Sequence, residues 1–291
     1  MLKNTHLPKI AAVQMCSSDN IDANLEAASQ FIHQASASGA RLAVLPENFA
    51  FMGINNTNRL QYKEEFGHGK IQNFLAKLAK ENKIWIVAGT IPMTSTDPQK
   101  VRAACLVYNE DGAMVARYDK IHLFDAIVST KEVHKESQVV EPGNEVVVLE
   151  TPIGKLGLAV CFDIRFPALF SQLLAKGAEM IAIPSAFTVP TGKAHWSMLT
   201  RCRAIDTFSY LIGANQGGLH TSGRKTYGHS IIVDPWGVIL SEKNDDQPGI
   251  ILSEVDLKRV YHCRESIPIS TKSSNGMDGD TEISKCRPDE R

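Results

Sequence analysis

The sequence predicts an α/β protein in which mixed sheets pack as a sandwich with helices. Short, mostly apolar runs that are typical of buried strands alternate with segments whose apolar residues recur at three-to-four spacing, as they do in helices. Hairpin patterns interrupt this alternation, which argues against an all-parallel doubly wound sheet. Strands covered by helices on one face and by a second sheet on the other would also explain their near-continuous apolar character.

The N-terminal segment predicts a strand, a helix and a second strand. The run "KIAAVQMC" is typical of a buried strand, and the following "SSDN" offers side chains that cap a helix. The helix itself is predicted from apolar residues at three-to-four spacing: Ile21, Leu25, Ala28, Ile32 and Ala35. Gly39 suits the end of that helix, and "RLAVLP" predicts the next strand.

The next segment repeats this order and adds a hairpin. A second helix is predicted from the spacing of Ile71, Phe74, Leu75 and Leu78, and "IWIVAG" predicts a strand after it. The run "ACLVYNEDGAMVARYDK" has two apolar halves around a polar turn at residues 109–112, which is the pattern of a hairpin.

Two more hairpins, three strands and two helices are predicted in the second half of the chain. The hairpins are "EVVVLETPIGKLGLAVC" and "GHSIIVDPWGVILSE", and the strands are "MIAIPS", "YLIGANQ" and "GIILSEVDL". One helix follows Cys161 and ends near Gly177, and the other runs from about Ala194 to Phe208.

The end of the chain differs in composition from the rest. Residues 271–291 lose apolar periodicity and gain Ser, Gly, Asp and Lys, which predicts a polar, mobile tail. Residues 1–270 have an even composition and enough length to bury one sizeable core. We therefore predict a single domain over 1–270.

Charge and cysteine content exclude several classes of protein. Lysine plus arginine, 31 residues, nearly balance aspartate plus glutamate, 32 residues, and no long basic stripe occurs, so we expect a small-molecule partner rather than nucleic acid. We expect no membrane span and no signal peptide, and hence a cytoplasmic protein. The six cysteines are scattered without a CxxC pair, which predicts free thiols and no zinc site.

Three polar side chains at strand ends are the candidates for chemistry. The common nucleotide, metallopeptidase and serine-hydrolase motifs GxGxxG, Walker A, HExxH and GxSxG do not occur. Instead, Glu47 follows "LAVLP", Lys120 ends "MVARYDK" and Cys161 follows "LGLAV". Side chains leave the core of layered α/β proteins at strand ends, so convergence of these three would form a site.

The chemistry of these residue types suits a nucleophilic cysteine. A free thiol is largely protonated at neutral pH, so a catalytic cysteine needs a base or a nearby positive charge. Glu47 would be the base, Lys120 would stabilise the thiolate and the oxyanion, and the Phe162 amide would be a second oxyanion donor. The residues alone leave open that Glu47 caps a loop, Lys120 is a solvated strand end and Cys161 is a packing residue.

The three segments also resemble a known family. "LAVLPENF", "YDKIHLFD" and "GLAVCFDIRFP" are similar, in the same order, to the three motif blocks of the nitrilase superfamily of carbon–nitrogen hydrolases, which carry a Glu-Lys-Cys triad. "PSAFTVPTGKAHW" and "YGHSIIVDPWG" match as well, and the resemblance covers about residues 10–257. It implies a four-layer αββα sandwich, a homodimer or higher homo-oligomer, and no metal or organic cofactor.

The resemblance implies a role for each residue of the triad. Cys161 would attack an amide carbon with Glu47 as general base, while Lys120 and the Phe162 amide hold the oxyanion. Ammonia would leave, and Glu47 would then activate the water that hydrolyses the thioester. Glu136 matches a second glutamate of the family, which orients the lysine; the alternative is that Glu136 is a surface loop acid.

Within the superfamily, the chain is most similar to the Nit branch, and in particular to amidases of deaminated glutathione. The segments that carry this likeness are "CFDIRFP", "TGKAHW" and "YGHSIIVDPWG". A substrate of this kind carries carboxylates, and Arg165 would pair with one of them through a bidentate fork. The alternative for Arg165 is an internal salt bridge with Asp163 or Glu136.

Other residues are assigned to the substrate pocket by the same resemblance. Phe187, Thr191 and His195 fall in the segment that would line it, although His195 and Trp196 are interpreted as packing or supporting groups rather than catalysts. The chain departs from the family at Ala168, where a glutamate is common. It departs again from Ile267 onward, where "IPISTKSSN" replaces a basic ending that contributes to dimer contacts.

Two other functions remain open at this stage. The first is an ω-amidase that acts on α-ketoglutaramate, or another short aliphatic or N-carbamoyl amidase. The second is a catalytically idle dimer that serves as a binding protein, against which the intact triad argues. Tyr227 favours the deaminated glutathione amidases modestly, because ω-amidases tend to carry a tryptophan before "GHS".

Overall fold

Two six-stranded mixed sheets form the centre of the protein in the computed structural model, which describes residues 7–130 and 132–269. The predicted tail at 271–291 lies outside the described residues. The first seven strands, in chain order, are β1 (Lys9–Gln14), β2 (Ala40–Val44), β3 (Trp85–Thr94), β4 (Val101–Tyr108), β5 (Met114–Asp119), β6 (Asp125–Ser129) and β7 (Glu132–Lys135).

The remaining strands belong to the second half of the chain. They are β8 (Val148–Glu150), β9 (Lys155–Leu158), β10 (Met180–Ala182), β11 (Tyr210–Gly213), β12 (Gly217–Leu219), β13 (Lys225–Tyr227), β14 (Ile231–Val233), β15 (Ile239–Glu242) and β16 (Gly249–Glu254). The helices are α1 (Ile21–Ala37), α2 (Lys70–Asn82), α3 (Pro167–Ala175), α4 (Val189–Thr207) and α5 (Leu257–Ser266). Three short 3₁₀ turns cover Asn56–Tyr62, Glu136–Gln138 and Cys161–Arg165.

Each large sheet has a parallel centre and antiparallel edges. The first sheet has the order β16-β1-β2-β3-β4-β5, in which β1, β2 and β3 are parallel. The second has the order β15-β14-β11-β10-β9-β8, in which β9, β10 and β11 are parallel. Predicted hairpins supply three of the four antiparallel edges, and the fourth is β16, which pairs antiparallel with β1; the prediction that the sheets are mixed is confirmed.

The layers follow from the alternation of side chains along each strand. Along β1, Ile10 and Ala12 pack into the core between the two sheets, whereas Ala11 and Val13 pack against α1 and α2. Helices α3 and α4 pack on the outer face of the second sheet. Their buried apolar residues belong to the same continuous apolar cluster as the residues between the two sheets. The order is therefore helices, sheet, sheet, helices, and the prediction of a four-layer αββα sandwich is confirmed.

Capping and periodicity explain why α1 forms where it does. The side chain of Asn20 accepts a hydrogen bond from the backbone N–H of Ala23 and so caps the first turn. Four residues of the predicted apolar stripe are buried against the first sheet, and the fifth, Ile21, is partly buried. Gly39, at φ 85°, follows the end of the helix in a left-handed conformation that glycine adopts without strain.

Some elements differ from the sequence predictions. Helix α4 begins at Val189, five residues before the predicted start. Pro190 is tolerated in its first turn because the backbone N–H groups there have no partner within the helix, so the missing N–H of proline costs nothing. The hairpins β6–β7 and β12–β13 were not predicted, since their strands are short and only partly buried. Helix α5 was also missed, because it buries only Val260 and Cys263 and therefore shows no clear apolar stripe.

Two further observations concern cysteines and membranes. Five cysteines in the described residues are free thiols, namely Cys16, Cys105, Cys161, Cys202 and Cys263. None of the helices in the described part of the chain is both long and apolar enough to cross a membrane.

Candidate active site

A cavity of about 530 Å³ opens where strand ends of the two sheets meet, and it brings all of the predicted site residues together. This volume includes open solvent at the mouth of the cavity. The lining includes Glu47 beyond β2, Lys120 beyond β5, Glu136 beyond β7 and Cys161 beyond β9. The first sheet thus supplies Glu47 and Lys120, and the second supplies Cys161.

Lys120 lies between two carboxylates. Its Nζ donates to Glu47 Oε1 at 2.7 Å and to Glu136 Oε2 at 2.8 Å, and the lysine side chain is only 1% exposed. Burial by itself lowers the pKa of Lys120, but the charges of Glu136 and Glu47 outweigh it and raise the pKa above its ordinary value. Lys120 is therefore a permanently charged, fixed ammonium group, and the alternative of a solvated strand end is excluded.

Cys161 occupies a strained turn beside these residues. Its φ of 48° is unusual for a residue with a Cβ, and its backbone N–H donates to the Pro184 carbonyl at 2.9 Å. Burial raises the pKa of the thiol, and the charge of Glu47 raises it further, although Lys120 and a backbone hydrogen bond from Ala186 oppose this. The resting thiol therefore keeps its proton and faces a carboxylate that can accept it.

Glu136 is held in the cavity wall rather than on a surface loop. Besides Lys120, its carboxylate accepts a 2.7 Å hydrogen bond from the Phe124 backbone N–H and lies 3.8 Å from an Arg59 nitrogen. Burial alone would raise the pKa of Glu136, but Lys120 and Arg59 outweigh it and lower the pKa. Glu136 is thus an anion in direct contact with the Lys120 ammonium.

A buried aspartate joins the lysine-bearing strand to the cysteine turn. Asp163 accepts hydrogen bonds from the Tyr118 hydroxyl at 2.7 Å, the Val160 N–H at 2.8 Å and the His122 N–H at 2.9 Å. The His122 Nδ1 also lies 2.7 Å from this carboxylate, and its ring stacks on Phe166. The position of Asp163 therefore sets the spacing between two candidate catalytic residues.

Arg165 faces the cavity and has no carboxylate partner among the described residues. Its guanidinium lies over the rings of Phe162 and Phe187, at 5.9 and 5.7 Å, and one nitrogen lies 3.2 Å from His195 Nδ1. Burial lowers the pKa of Arg165, and the Cys161 thiolate, when formed, opposes this. Among the ion pairs of the described residues, none joins Arg165 to Asp163 or Glu136, so the salt-bridge alternative is wrong.

The other predicted pocket residues lie in or near the same cavity. Phe162, Phe187 and Thr191 line it, and Phe162 is the second residue of a 3₁₀ turn, where the backbone N–H is not used by the turn itself. His195 is not one of the lining residues, but its Nδ1 contacts Arg165, which is. Trp196 is fully buried and donates from its ring nitrogen to the His229 carbonyl, which fits its interpretation as a packing residue.

The described residues contain no group of three or more histidine, cysteine, aspartate or glutamate side chains that could hold a metal ion.

Comparison with known proteins identifies the family. The sequence profile of the carbon-nitrogen hydrolase family matches residues 9–265, which is most of the chain. The chain belongs to the carbon-nitrogen hydrolase family. The Ala168 departure therefore leaves family membership intact, although the first turn of α3 contains no acidic residue.

This carbon-nitrogen hydrolase is similar to curated and solved proteins over most of its length. A deaminated glutathione amidase of Yersinia enterocolitica is 37% identical over 264 residues, covering 89% of this chain and 91% of the relative. Nit3 of Saccharomyces cerevisiae, a member of branch 10 of the nitrilase superfamily, is 33% identical with a TM-score of 0.81, covering 91% and 96%. The NitFhit protein of C. elegans is 33% identical with a TM-score of 0.83, and the match covers 92% of this hydrolase and 65% of NitFhit.

Several cavity residues of the hydrolase were not predicted from the sequence. Arg59, His134 and Arg224 line the cavity, as do Asn48 and Ala186. Asn48, with φ 58°, directly follows Glu47 and also adopts the left-handed conformation, which asparagine tolerates better than most residues. The arginines lie in loops and short turns without apolar periodicity, so their positive charge is the only sequence feature that suggests a role in binding. Ala186 acts through its backbone, which leaves no signal in the sequence.

Proposed function

We propose that Cys161 is the nucleophile of this amidase, with Glu47 as general base and Lys120 as oxyanion donor. The observation that carries the proposal is the Lys120 ammonium, which is buried between Glu47 and Glu136 and lines the same cavity as the Cys161 thiol. A neutral thiol beside a carboxylate favours transfer of the proton during attack rather than a pre-formed thiolate.

The first half of the reaction forms a thioester. As the Cys161 Sγ bonds to the amide carbon, its proton moves to Glu47, and the carbonyl oxygen becomes an oxyanion that the Lys120 ammonium and the Phe162 N–H stabilise. The tetrahedral intermediate then collapses and the C–N bond breaks. The leaving nitrogen takes the proton from Glu47, so the carboxylate is regenerated.

The second half hydrolyses the thioester. Glu47 takes a proton from a water molecule as the water oxygen bonds to the thioester carbon, and the same two donors hold the new oxyanion. Collapse breaks the C–S bond, and the proton on Glu47 returns to Sγ. Glu136 takes no part in proton transfer; its role is to hold Lys120 in place.

Deaminated glutathione is the substrate that we propose first. The proposal is supported by the similarity to amidases that carry this name and by Arg165, which forms no ion pair within the described part of the chain and whose guanidinium can bind a substrate carboxylate through two parallel hydrogen bonds. The leaving group depends on the amide. A primary amide releases the expected ammonia, whereas glutathione that has lost its amino group contains only secondary amides and releases an amine.

Replacement of the nucleophile tests the mechanism. Cys161→Ala should abolish hydrolysis of deaminated glutathione while the circular dichroism spectrum stays that of the wild type, and Cys202→Ala, which changes an exposed thiol on α4, should retain the rate. Intact-mass analysis of the wild type during turnover should find an acyl adduct on Cys161. An unchanged rate in Cys161→Ala contradicts the mechanism.

The substrate is tested by a comparison of specificity constants. The ratio of kcat/KM for deaminated glutathione to that for α-ketoglutaramate separates the proposed amidase from an ω-amidase, because specificity is a ratio of these constants. A ratio above one supports deaminated glutathione. A ratio well below one assigns the chain to the ω-amidases without affecting the proposed triad.

We also propose that the protein is a cytoplasmic homodimer. Exposed apolar side chains lie close together on α4 and on the β14–β15 hairpin, among them Met198, Ile205 and Trp236. Light scattering should give twice the mass of the chain, and Ile205→Glu should shift the protein towards monomer, whereas Val115→Glu on edge strand β5 should not. Subcellular fractionation tests the location.

A further inference from the structure

The candidate active site continues outward into a second cavity. This outer cavity, of about 1600 Å³ including its open mouth, shares four lining residues with the inner one: Asn48, Arg59, His134 and Arg224. Its other walls come from residues 52–55, the β6–β7 hairpin, the start of α4 and the turn at residues 222–225. A molecule attacked at Cys161 can therefore extend outward past Arg59 and Arg224.

The outer cavity is positively charged. Arg59, Arg224 and Lys225 line it, whereas its single acidic lining residue in the described part of the chain, Glu132, is engaged with His134 at 3.0 Å. Arg59 is partly neutralised by Glu136 at 3.8 Å. Arg224 and Lys225 take part in no ion pair among the described residues, so the cavity favours an anionic group.

Arg224 is anchored, but part of its guanidinium has no partner. One terminal nitrogen donates to the Ala186 carbonyl at 2.7 Å, and the Nε is buried without a hydrogen-bond partner within the described residues. The tight turn of the β12–β13 hairpin holds Arg224, because its carbonyl accepts from the His220 N–H at 2.9 Å. This Nε has no accessible surface, so a ligand in the cavity would reach the terminal N–H groups of Arg224 that Ala186 does not use.

The direction of the substrate follows from the two arginines. Arg165 lines only the inner cavity, whereas Arg224 lines the boundary between the inner and outer cavities. If the acyl part of the amide places its carboxylate on Arg165, the leaving amine must point away from Arg165 and towards the opening. The amine part then passes Arg224 on its way out.

We propose that Arg224 is the specificity-determining residue of a leaving-group subsite, where its guanidinium binds a carboxylate on the amine portion of a substituted amide. The inference rests on the proposed function and deepens it. It assigns one arginine to each end of the substrate: Arg165 to the acyl carboxylate and Arg224 to the amine carboxylate. The substrate class is then a secondary amide with a carboxylate on both sides of the scissile bond.

Three amides separate this assignment from the alternatives. They are deaminated glutathione, the same molecule with its glycine carboxylate converted to a carboxamide, and the primary amide α-ketoglutaramate. Release of the amine, or of ammonia for the primary amide, gives kcat/KM for each. The wild type should prefer deaminated glutathione to its carboxamide by about 10- to 100-fold, as expected for one charge-assisted bidentate pair.

The Arg224→Gln variant should lose this preference, so that the two amides react within about threefold of each other. Arg224→Lys should keep part of it, because lysine retains the charge but not the fork. Arg41→Gln, the same change at an exposed arginine on β2, should keep all of it. Since the readout is a ratio within one variant, a general loss of activity or of folded protein does not mimic the result.

Four outcomes would overturn the assignment. They are a wild type without preference for the free carboxylate, an Arg224→Gln variant that keeps the preference, loss of the preference in Arg165→Gln instead, and a wild type that hydrolyses only α-ketoglutaramate. If the wild type hydrolyses none of the three amides, the proposed function itself fails and the subsite falls with it. Hydrolysis of deaminated glutathione with an unaltered preference in Arg224→Gln leaves the proposed function intact and refutes the subsite alone.

Discussion

The hydroxyl of Tyr118 donates a 2.7 Å hydrogen bond to the carboxylate of Asp163 in the core between the sheets. Tyr118 precedes Lys120 by two residues and Asp163 follows Cys161 by two, so this bond fixes the strand of the oxyanion donor against the turn of the nucleophile. Burial raises the pKa of Tyr118, and the neighbouring Asp163 charge raises it further, so the hydroxyl remains a donor.

Tyr118→Phe should therefore impair catalysis as well as stability. We expect the free energy of unfolding to fall by about 1 kcal/mol, the usual net value of one hydrogen bond. We also expect kcat to fall by more than KM rises, because Lys120 and Cys161 lose alignment for the transition state rather than for binding. Steady-state kinetics and urea denaturation measure the two effects.

Tyr108→Phe is the matched control for this change. Tyr108 lies on neighbouring β4 and packs into the core on the helix side of the sheet, away from the cavity. A loss of stability in Tyr118→Phe with an unchanged kcat would show that the bond supports only the fold.

Glu136→Gln should lower activity through Lys120. The carboxamide still accepts a hydrogen bond, but the negative charge that most strongly raises the pKa of Lys120 is gone, so this pKa falls. We expect a loss in kcat/KM of about 10- to 100-fold, with a fold that is retained. Glu81→Gln, an exposed change on α2, should have no effect, and equal activity in both variants would contradict the positioning role.

The reactivity of Cys161 towards iodoacetamide should report its raised pKa. Because burial and the Glu47 charge both disfavour the thiolate, alkylation should be slow at neutral pH and should rise only above the pH range of an ordinary thiol. Glu47→Gln removes one of the two causes, which lowers the pKa and shifts the alkylation profile to lower pH. Peptide mass spectrometry separates Cys161 from the other thiols.

The Glu47→Gln change should slow amide hydrolysis, although it makes alkylation of Cys161 easier at a given pH. The variant keeps a more acidic thiol but lacks the base, so amide hydrolysis should fall by about 100-fold or more. If alkylation and hydrolysis fall together, Glu47 does not hold the thiol in its protonated form.

The strained backbone at Cys161 should be visible in stability. At φ 48°, glycine is favoured over residues with a Cβ, so Cys161→Gly should be more stable than Cys161→Ala by about 1 kcal/mol, although both are inactive. Ala182→Gly within β10 should lower stability, because there glycine adds freedom to the unfolded chain and removes a buried methyl group from the core. Equal stability of the two Cys161 variants would show that the turn carries no strain.

The sequence predicted the strand ends but not their convergence. Glu47, Lys120 and Cys161 follow buried apolar runs, and such runs are recognisable because sheets covered on both faces select apolar residues almost continuously. Their meeting depends on how two separate sheets stack, which no local pattern encodes. The resemblance to a family predicted that the three residues meet, and the structure places them in one cavity, with Lys120 Nζ 2.7 Å from Glu47 Oε1.

The loop residues of the site were beyond local prediction for a different reason. Arg59 lies in a 3₁₀ turn and Arg224 in a hairpin turn, and neither segment has a periodicity that predicts where its side chains point. The start of helix α4 was predicted five residues too late, and Pro190 stands in its first turn, where a proline is tolerated because the helix does not use that N–H. Local rules failed where tertiary contacts decide the conformation.

Because the proposed triad is divided between the two sheets, enzymatic activity also reports whether the sheets have docked. Glu47 and Lys120 stand on one sheet and Cys161 on the other, so a chain in which only one sheet has formed contains no complete site. During refolding, the recovery of enzymatic activity would measure the fraction of molecules in which the two sheets have docked. Circular dichroism would measure the formation of the sheets, whether or not they have docked. A delay of activity behind circular dichroism would give the rate at which the two sheets dock.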